Sequence, residues 1–389
     1  MKINNQSLAK NLSVLFVTTN FNYNGAKKYI VVVANELAKR GYKVGVLFDS
    51  GPLATKLESR VIKYHVKLSG LGLDPISRLK SVVNAAFLAK KEGYKVIHDE
   101  IYGEVANSII SHKLLSFLSR SKIVETIHYA WETSEQREKA AKKIDKRADW
   151  LIAIPSSVAK VYGDWVLDRS KVTIIQNGIN IKEYDPPNSK EVEELRKKLG
   201  INKKDPVLVA VSRVSKTKNF EAFINWFPYI LSDFPNTRFV IVGDNGTGDR
   251  SYLDQVIEKV KSLGLSKHII FVGGKTEIKP YLGLGNIFTI TGLAGDLSVM
   301  EAMATGLPVV VSRLKYQFKP ELIKDGETGL LFDWGDWQKW AEQIKFLLSK
   351  PDTAKQFGES GKTRVRSFFT IERYVDELEK VYRNVLLKG

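Results

Sequence analysis

Short apolar runs rich in β-branched residues alternate with longer amphipathic stretches along the whole chain. This alternation is typical of β-α-β units, in which helices join parallel strands and cover the sheet. In the first half it predicts strands at Leu12–Thr18, Lys43–Phe48, Val61–Val66, Lys95–His98, Ile123–Thr126, Trp150–Ile154 and Val172–Ile175. A second series is predicted at Pro206–Val211, Arg238–Val242, His268–Val272, Ile287–Ile290, Pro308–Ser312 and Gly329–Phe332. The sequence therefore predicts two doubly wound α/β domains.

Helical patterns fill the intervals between these strands. They are predicted at Lys28–Arg40, Ile76–Lys91, Val105–Leu118, Trp334–Leu348, Asp352–Phe368 and Ile371–Leu387. The strand pattern pauses at Asn177-Gly178 and Pro186-Pro187, which is typical of a linker. A chain of 389 residues is long enough for two cores. We expect domains at residues 1–185 and 186–369, followed by a last helix at 370–389.

The composition excludes several classes of protein. The chain has no cysteine, which rules out a disulfide scaffold, a zinc-thiolate site, an iron–sulfur cluster and a thiol nucleophile. Its apolar runs are far shorter than the roughly 20 residues that span a bilayer. The apolar segment at residues 14–17 is too short for a signal peptide. We therefore expect a soluble, cytoplasmic protein.

The net charge of +17 favours anionic partners, which include nucleic acid, phosphorylated substrates and an acidic membrane surface. A solvated lysine-rich surface explains the same charge. The basic residues are dispersed and no nucleic-acid motif is present, so we do not expect nucleic acid as a partner. One segment suits an anionic membrane surface, although an ordinary buried helix has the same pattern. In it, apolar residues are surrounded by Lys113, Arg120 and Lys122.

A pair of cations follows the first strand of the second series. Val207–Val211 leads directly to Arg213 and Lys218. Ligands of parallel sheets bind beyond the carboxyl ends of the strands. A guanidinium can bind two phosphate oxygens there while an ammonium acts as a point charge. The pair therefore indicates a diphosphate site, and solvated loop cations remain the alternative.

Small residues follow two other predicted strands. Gly25 and Ala26 lie at a predicted helix start and would let the backbone approach a phosphate or a sugar, although a simple turn would also need a glycine. Gly243 opens a Gly-Asp-Asn-Gly-Thr-Gly segment whose spacing does not fit a dinucleotide fingerprint. We include all three residues among the candidates for binding a phosphate or a sugar.

The segment at residues 292–311 is the most informative. Glycines precede a predicted short helix whose first turn presents the amides of Leu297 and Ser298 to an anion. Glu301 follows one turn later and can accept two hydrogen bonds from a ribose diol. A buried structural glutamate is the alternative.

Motifs from both halves occur in one order along the chain. They are Gly25 with Leu37-Ala38-x-x-Gly41-x-x-Val44, Thr126-Ile127-His128, Gln176-Asn177-Gly178-Ile179, Val211-Ser212-Arg213 with Lys218-Asn219, Glu301-Ala302-Met303-Ala304-x-Gly306-x-Pro308-Val309-Val310, and Glu321-x-x-x-Asp325-Gly326-x-x-Gly329-Leu330-Leu331. In this order they resemble the family-4 retaining glycosyltransferases of the GT-B fold. The resemblance covers nearly the whole chain.

The resemblance implies a GT-B enzyme whose two Rossmann-like domains face each other across a cleft. The second domain would bind a UDP- or GDP-sugar, with Arg213 and Lys218 on the diphosphate and Glu301 on the ribose. His128 would serve the acceptor side, where the first domain receives a hydroxyl of a glycan, a lipid or a small molecule. A packed core histidine is the alternative for His128. His98 is a further candidate for the cleft. The last helix would cross back to the first domain, and no cofactor is implied.

One position departs from the family. The family has an E-x7-E motif, and Glu301 matches its second glutamate. The first glutamate falls on Leu293, which puts the identity of the sugar in doubt and allows a catalytically weakened relative. The sequence contains no D-x-D, so we expect no metal, with Arg213 and Lys218 supplying the charge that a metal would supply. A nucleotide-sugar epimerase, or another enzyme of the same fold, is the alternative.

Overall fold

The computed structural model describes residues 12–18, 21–22, 25–66, 75–99, 109–127, 148–154, 169–185, 187–245, 250–290, 296–313 and 322–387. The chain divides into two compact units, which are Met1–Gly178 with Ile371–Gly389, and Ile179–Thr370. The division falls before the predicted boundary at residue 185. The reason is that the amide of Ile179 already donates to the carbonyl of Phe369, at 2.9 Å, within the second unit.

The first unit is built on a parallel sheet, as the alternating pattern predicts. Its described strands are β1 (Ser13–Val17), β2 (Lys43–Phe48), β3 (Ile62–His65), β4 (Val96–Asp99), β5 (Lys122–Ile127), β6 (Trp150–Ala153) and β7 (Val172–Ile174). They lie in the order β3-β2-β1-β4-β5-β6-β7. Among the residues that the structure describes, α1 (Gly25–Lys39) lies between β1 and β2, α2 (Pro75–Glu92) between β3 and β4, and α3 (Ile109–Ser119) between β4 and β5.

The second unit repeats this arrangement. Its described strands are β8 (Val207–Val211), β9 (Arg238–Val242), β10 (Ile269–Gly273), β11 (Ile287–Ile290), β12 (Val309–Ser312) and β13 (Leu330–Phe332). They lie in the order β10-β9-β8-β11-β12-β13. Its described helices are α4 (Ser189–Lys198), α5 (Phe220–Leu231), α6 (Ser251–Ser262), α7 (Lys279–Leu284), α8 (Asp296–Ala304), α9 (Trp337–Ser349) and α10 (Pro351–Phe368).

Alternating strand residues fill two cores in the second unit. Val207 and Val209 belong to one buried cluster, whereas Leu208 and Ala210 belong to the other. Both faces of β8 are therefore buried, as the helices on each side of a doubly wound sheet require. In both sheets the strand order reverses between two central neighbours, β1 and β4 in one and β8 and β11 in the other. Such a reversal leaves a ligand crevice beyond the carboxyl ends of the two strands.

The last helix, α11 (Ile371–Leu387), groups with the first unit although the second unit precedes it in the chain. Its apolar side, which includes Leu378 and Val385, is buried, and it contacts α1. Arg40 at the end of α1 donates to Asp376 at 2.7 Å and to Glu379 at 2.9 Å. No helix of the described part of the chain is long and apolar enough to cross a membrane.

Candidate donor-binding site

The residues after β8 form a loop that is fixed by its backbone. The amide of Ser212 donates to Val242 at 3.0 Å, and the amide of Val214 donates to Asp244 at 2.8 Å. Arg213 lies between these two bonds and is exposed. Within the described residues its guanidinium has no ion pair. The loop therefore holds the backbone of Arg213 at the strand reversal while its side chain is available to a ligand.

Gly243 makes this loop possible. Its φ is 149°, a conformation that favours glycine, and a Cβ there would lie 1.9 Å from the carbonyl oxygen of Ser212. Only a residue without a side chain permits this close approach of two backbones. The structure thus places Gly243 against the loop of Arg213, and the amide of Gly243 also donates to Gly273 at 3.0 Å. Direct donor binding by Gly243 stays a prediction.

The two lysines of the next turn differ in exposure. A short 3-10 helix covers Lys216–Lys218 and ends at Asn219, which has a left-handed backbone with φ 45°. The side chain of Lys216 is exposed, whereas Lys218 is buried apart from 9% of its surface. A left-handed non-glycine residue is uncommon and is often found at functional sites. Burial therefore distinguishes Lys218, the lysine that the motif identifies, from Lys216 in the same turn.

Glu301 lies on α8 and is buried. The hydroxyl of Tyr184 donates to its Oε1 atom at 2.6 Å. Burial and the negative charge of Glu301 raise the pKa of Tyr184, so the hydroxyl stays protonated and keeps donating. One carboxylate oxygen is thereby fixed in place. A carboxylate oriented in this way suits the recognition of a diol.

The helix of Glu301 is anchored at both ends. Leu297 and Ser298 lie in the first turn of α8 and are half-buried, and Leu297 packs on one of the two cores. Gly306, with φ 86°, ends the helix. The chain of α10 passes so close that a Cβ on Gly358 would lie 2.0 Å from the carbonyl oxygen of Gly306. The N-terminal amides of α8 consequently have a fixed direction.

The expectation that His98 faces a cleft is wrong. Its ring is completely buried, with Nδ1 at 2.6 Å from the hydroxyl of Tyr382 and Nε2 at 2.6 Å from Oγ1 of Thr126. It also stacks on Phe16, with 5.1 Å between the ring centroids. The period-2 geometry of β4 directs His98 towards α11, so the ring links the sheet to the last helix.

The other candidates are placed as follows. Gly25 begins α1 and is exposed, and Ala26 follows it half-buried; both belong to the first unit. His128 and Leu293 lie outside the described residues. Across the part of the chain that is described, no three His, Asp or Glu side chains are grouped as a metal site would require.

Sequence reasoning missed Tyr184. It lies in a 3-10 helix, Ile181–Tyr184, shortly after the Asn177-Gly178 turn. It is 117 residues away from Glu301 in sequence. No local pattern links the two side chains, since they meet only when the start of the second unit packs on α8. Only the fold could reveal this pair.

Two family models together match most of the chain. Residues 23–183 match Glycosyltransferase Family 4, and residues 191–364 match the Glycosyl transferases group 1. The chain is a family 4-type glycosyltransferase. The two matches cover the two structural units in turn, and they agree with the resemblance that the motifs indicate.

Two curated relatives resemble this glycosyltransferase over most of their length. The N-acetyl-alpha-D-glucosaminyl L-malate synthase of Bacillus anthracis is 22% identical over 91% of this chain and 92% of its own. An Escherichia coli galactosyltransferase, named for UDP-Gal and alpha-D-GlcNAc-diphosphoundecaprenol, is 23% identical over 87% of this chain and 88% of its own. The first is named a synthase and the second a galactosyltransferase, and these names agree with a transferase.

Solved structures show the same fold. HepE of Anabaena in complex with UDP and glucose has a TM-score of 0.78 and 20% identity, covering 95% of this chain and 98% of its own. A glycosyltransferase of Rickettsia africae has a TM-score of 0.81 and 17% identity, covering 97% of this chain and 100% of its own. The fold is GT-B, with two Rossmann-like α/β domains, as predicted.

Proposed function

We propose that this enzyme transfers a sugar from a nucleoside-diphosphate sugar to a hydroxyl group, with retention of the anomeric configuration and without a metal ion. The observation that carries the proposal is the exposed Arg213, held beyond the carboxyl end of β8 by the bonds on either side of it. Lys218 and Glu301 belong to the same unit and complete the proposed donor site.

The chemistry needs fixed positive charge. When the bond between the anomeric carbon and the diphosphate breaks, negative charge develops on the departing phosphate. A preorganised cation stabilises that charge without reorganising during the reaction. Arg213 and Lys218 supply it in the proposed mechanism, with the first-turn amides of Leu297 and Ser298 at the positive end of α8. These cations replace the metal clamp, and the sequence offers no D-x-D to hold one.

Glu301 is proposed to bind the ribose of the donor. The bond from Tyr184 fixes the carboxylate before the nucleotide arrives, which lowers the cost of ordering it on binding. UDP-sugars are the first donors to test, because the structural neighbour HepE was crystallised with UDP, with UDP and glucose, and with UDP-glucose. GDP-sugars are the alternative donors.

Retention follows from the family resemblance. In the proposed mechanism the leaving phosphate helps to deprotonate the acceptor on the same face of the sugar. His128 is proposed to act on the acceptor side, and Gly25 and Ala26 to let the donor approach the start of α1. The acceptor is a hydroxyl of a glycan, a lipid or a small molecule, since the names of relatives range from L-malate to diphosphoundecaprenol. We place the enzyme in the cytoplasm, in part on an anionic membrane surface.

The donor site is tested by thermal stabilisation. Each of UDP-, GDP- and ADP-sugars is added to the wild-type protein and to the Arg213→Ala and Lys216→Ala variants. We expect one donor class to raise the melting temperature of the wild type and of Lys216→Ala, the control from the same loop. Arg213→Ala should respond much less, because the phosphate loses a charge-assisted bond. Equal stabilisation of all three proteins would refute the phosphate site.

Leu293 favours a second candidate, a weakened relative that binds the donor without turning it over. Measurement of sugar release and transfer with the stabilising donor separates the two functions. Transfer to a hydroxyl acceptor supports the transferase, whereas tight binding with no turnover supports the weakened relative. Conversion of the donor in the absence of any acceptor would instead indicate an epimerase.

A further inference from the structure

Two helices of the first unit carry its most exposed aromatic side chains. Phe117 on α3 is 80% exposed and Phe87 on α2 is 71% exposed, the highest values for large apolar residues among those that the structure describes. The two helices pack against each other. Exposed phenylalanines on adjacent helices are costly in water, so an apolar patch of this kind commonly marks an interaction site.

The spacing on α2 places cations around Phe87. Lys80, Val83 and Phe87 are exposed, and Lys90 and Lys91 follow one turn later. Residues separated by three or four positions share one face of a helix. The opposite stripe, which runs through Val82, Ala86 and Ala89, is buried. One face of α2 is therefore aromatic at its centre and cationic at both ends.

A related arrangement is found at α3. Lys113 is exposed one turn before Phe117, and Arg120 is exposed directly after the end of the helix, where its φ is 60°. Leu114 is half-buried, and Leu115 is buried on the side that packs on the unit. Exposed cations thus precede and follow an exposed phenylalanine in both segments, with Arg120 just beyond the end of α3. We call this surface the α2–α3 face, defined by Lys80, Phe87, Lys90, Lys113, Phe117 and Arg120.

The charge of the α2–α3 face has one sign. Glu92 is the single acidic residue in the sequences of α2 and α3, and it pairs with Lys43 at 3.3 Å. A face of this charge attracts an anionic surface. A second copy of the chain is disfavoured as the partner, because two cationic faces would oppose each other.

We propose that the α2–α3 face docks on the headgroup region of an anionic bilayer. Phe87 and Phe117 enter the boundary between the headgroups and the acyl chains, and the flanking lysines and Arg120 contact the lipid phosphates. An apolar centre with cations at its rim is the arrangement that binds such interfaces. The proposal depends on the proposed function only for the biological use of docking, which is to bring the transferase to a membrane-bound acceptor. Docking itself requires no catalysis.

Vesicle flotation tests the docking. The whole protein is mixed with vesicles of phosphatidylcholine alone, or of phosphatidylcholine with phosphatidylglycerol. We expect binding only to the anionic vesicles, and weaker binding at high salt. Phe87→Ser with Phe117→Ser should lower the partition coefficient at least about tenfold. Each of Lys80→Gln and Lys113→Gln should lower it about fivefold.

Trp334→Ser is the matched control, because Trp334 is an exposed aromatic residue of the second unit. It should bind vesicles like the wild type. All these variants should keep their thermal stabilisation by the donor, so failure to dock is distinguishable from failure of the donor site. Equal vesicle binding by the wild type and the Phe87, Phe117 double variant would overturn the proposal.

A site-specific label tests the orientation of the face. Since the chain has no cysteine, Phe117→Cys creates the sole thiol for an environment-sensitive fluorophore, and Trp334→Cys provides the control. On anionic vesicles we expect a blue shift at position 117 and none at position 334. The absence of a shift at 117 would reject the proposal. So would a dimer in sedimentation that dissociates in the double phenylalanine variant, because the face would then be covered by a second copy.

Discussion

The two units have the same sheet order around their strand reversals but use the carboxyl ends of their strands differently. At the carboxyl end of β4 in the first unit, His98 is completely buried. Its ring lies between Thr126 of β5 and Tyr382 of the last helix. At the equivalent edge of the second unit, β8 leads to the exposed Arg213 and the left-handed turn at Asn219.

This difference teaches that the topology supplies a possible site without determining its chemistry. Both edges bring polar side chains together, as parallel sheets do. In the first unit a helix from the end of the chain covers the ring of His98 and makes it part of the core. In the second unit, Gly243 holds a loop cation in reach of solvent instead. The residues that follow a strand, and what packs on them, decide the function.

The largest effect is expected at the exposed edge. Arg213→Ala and Lys218→Ala should each lower kcat by about 10²–10³-fold, the usual effect of removing one preorganised donor to developing negative charge. Initial rates of transfer from a UDP-sugar measure this effect. Lys216→Ala, from the same turn, should retain most of the activity. Comparable losses for Lys216 and Lys218 would mean that the turn provides only general positive charge.

Gly243→Ala tests whether the loop depends on the close approach of its backbone. The new Cβ would collide with the carbonyl of Ser212, so we expect a loss of about 3 kcal/mol in the free energy of unfolding, together with weaker donor binding. Urea denaturation measures the stability. Gly264→Ala is the control, because Gly264 has φ 68° and open space around a Cβ. It should cost about 1 kcal/mol from backbone strain alone. Equal losses of stability in Gly243→Ala and Gly264→Ala would show that the close contact with Ser212 does not matter.

Tyr184→Phe tests the orientation of Glu301. Loss of the bond to a charged carboxylate should raise the KM for the donor about tenfold and change kcat little. The preference for UDP over 2′-deoxy-UDP should shrink, which a purely structural defect would not produce. Tyr281→Phe, in the same core, should preserve both values. If Tyr184→Phe keeps the wild-type preference for UDP over 2′-deoxy-UDP, Glu301 does not bind the ribose as proposed.

The buried contact between His98 and Tyr382 should affect stability alone. Tyr382→Phe removes the bond to His98 and should lower the free energy of unfolding by about 1 kcal/mol. Tyr64→Phe, which breaks a partly exposed bond to Tyr94 at 3.1 Å, should cost less. Thermal stabilisation by the donor should be unchanged in both. Loss of donor response in Tyr382→Phe would contradict the separation of the two edges.

The smallest effect is expected from chelation. If the cations of the second unit supply the charge that a metal would, excess EDTA should leave the transfer rate unchanged. Rates measured before and after dialysis against EDTA check this. A loss of activity that magnesium or manganese restores would show that Arg213 and Lys218 are insufficient.

The sequence predicted the strands well because their signal is local. Arg238–Val242 and Ile287–Ile290 have the predicted bounds, since β-branched runs flanked by polar residues need no distant information. Arg213 and Glu301 were identified from motifs, and their roles stay predictions. The burial of His98 was not predictable, because its partner Tyr382 lies 284 residues away. The boundary at Gly178 likewise depends on the bond between Ile179 and Phe369.

Ile179 and Thr370 are the first and last residues of the second unit, and they pair in a parallel β-bridge. This pairing has a consequence for synthesis of the chain. The second unit is one uninterrupted segment, whereas the first needs both an early segment and the very last helix. The first unit can therefore complete its core only after the whole of the second unit has been synthesised.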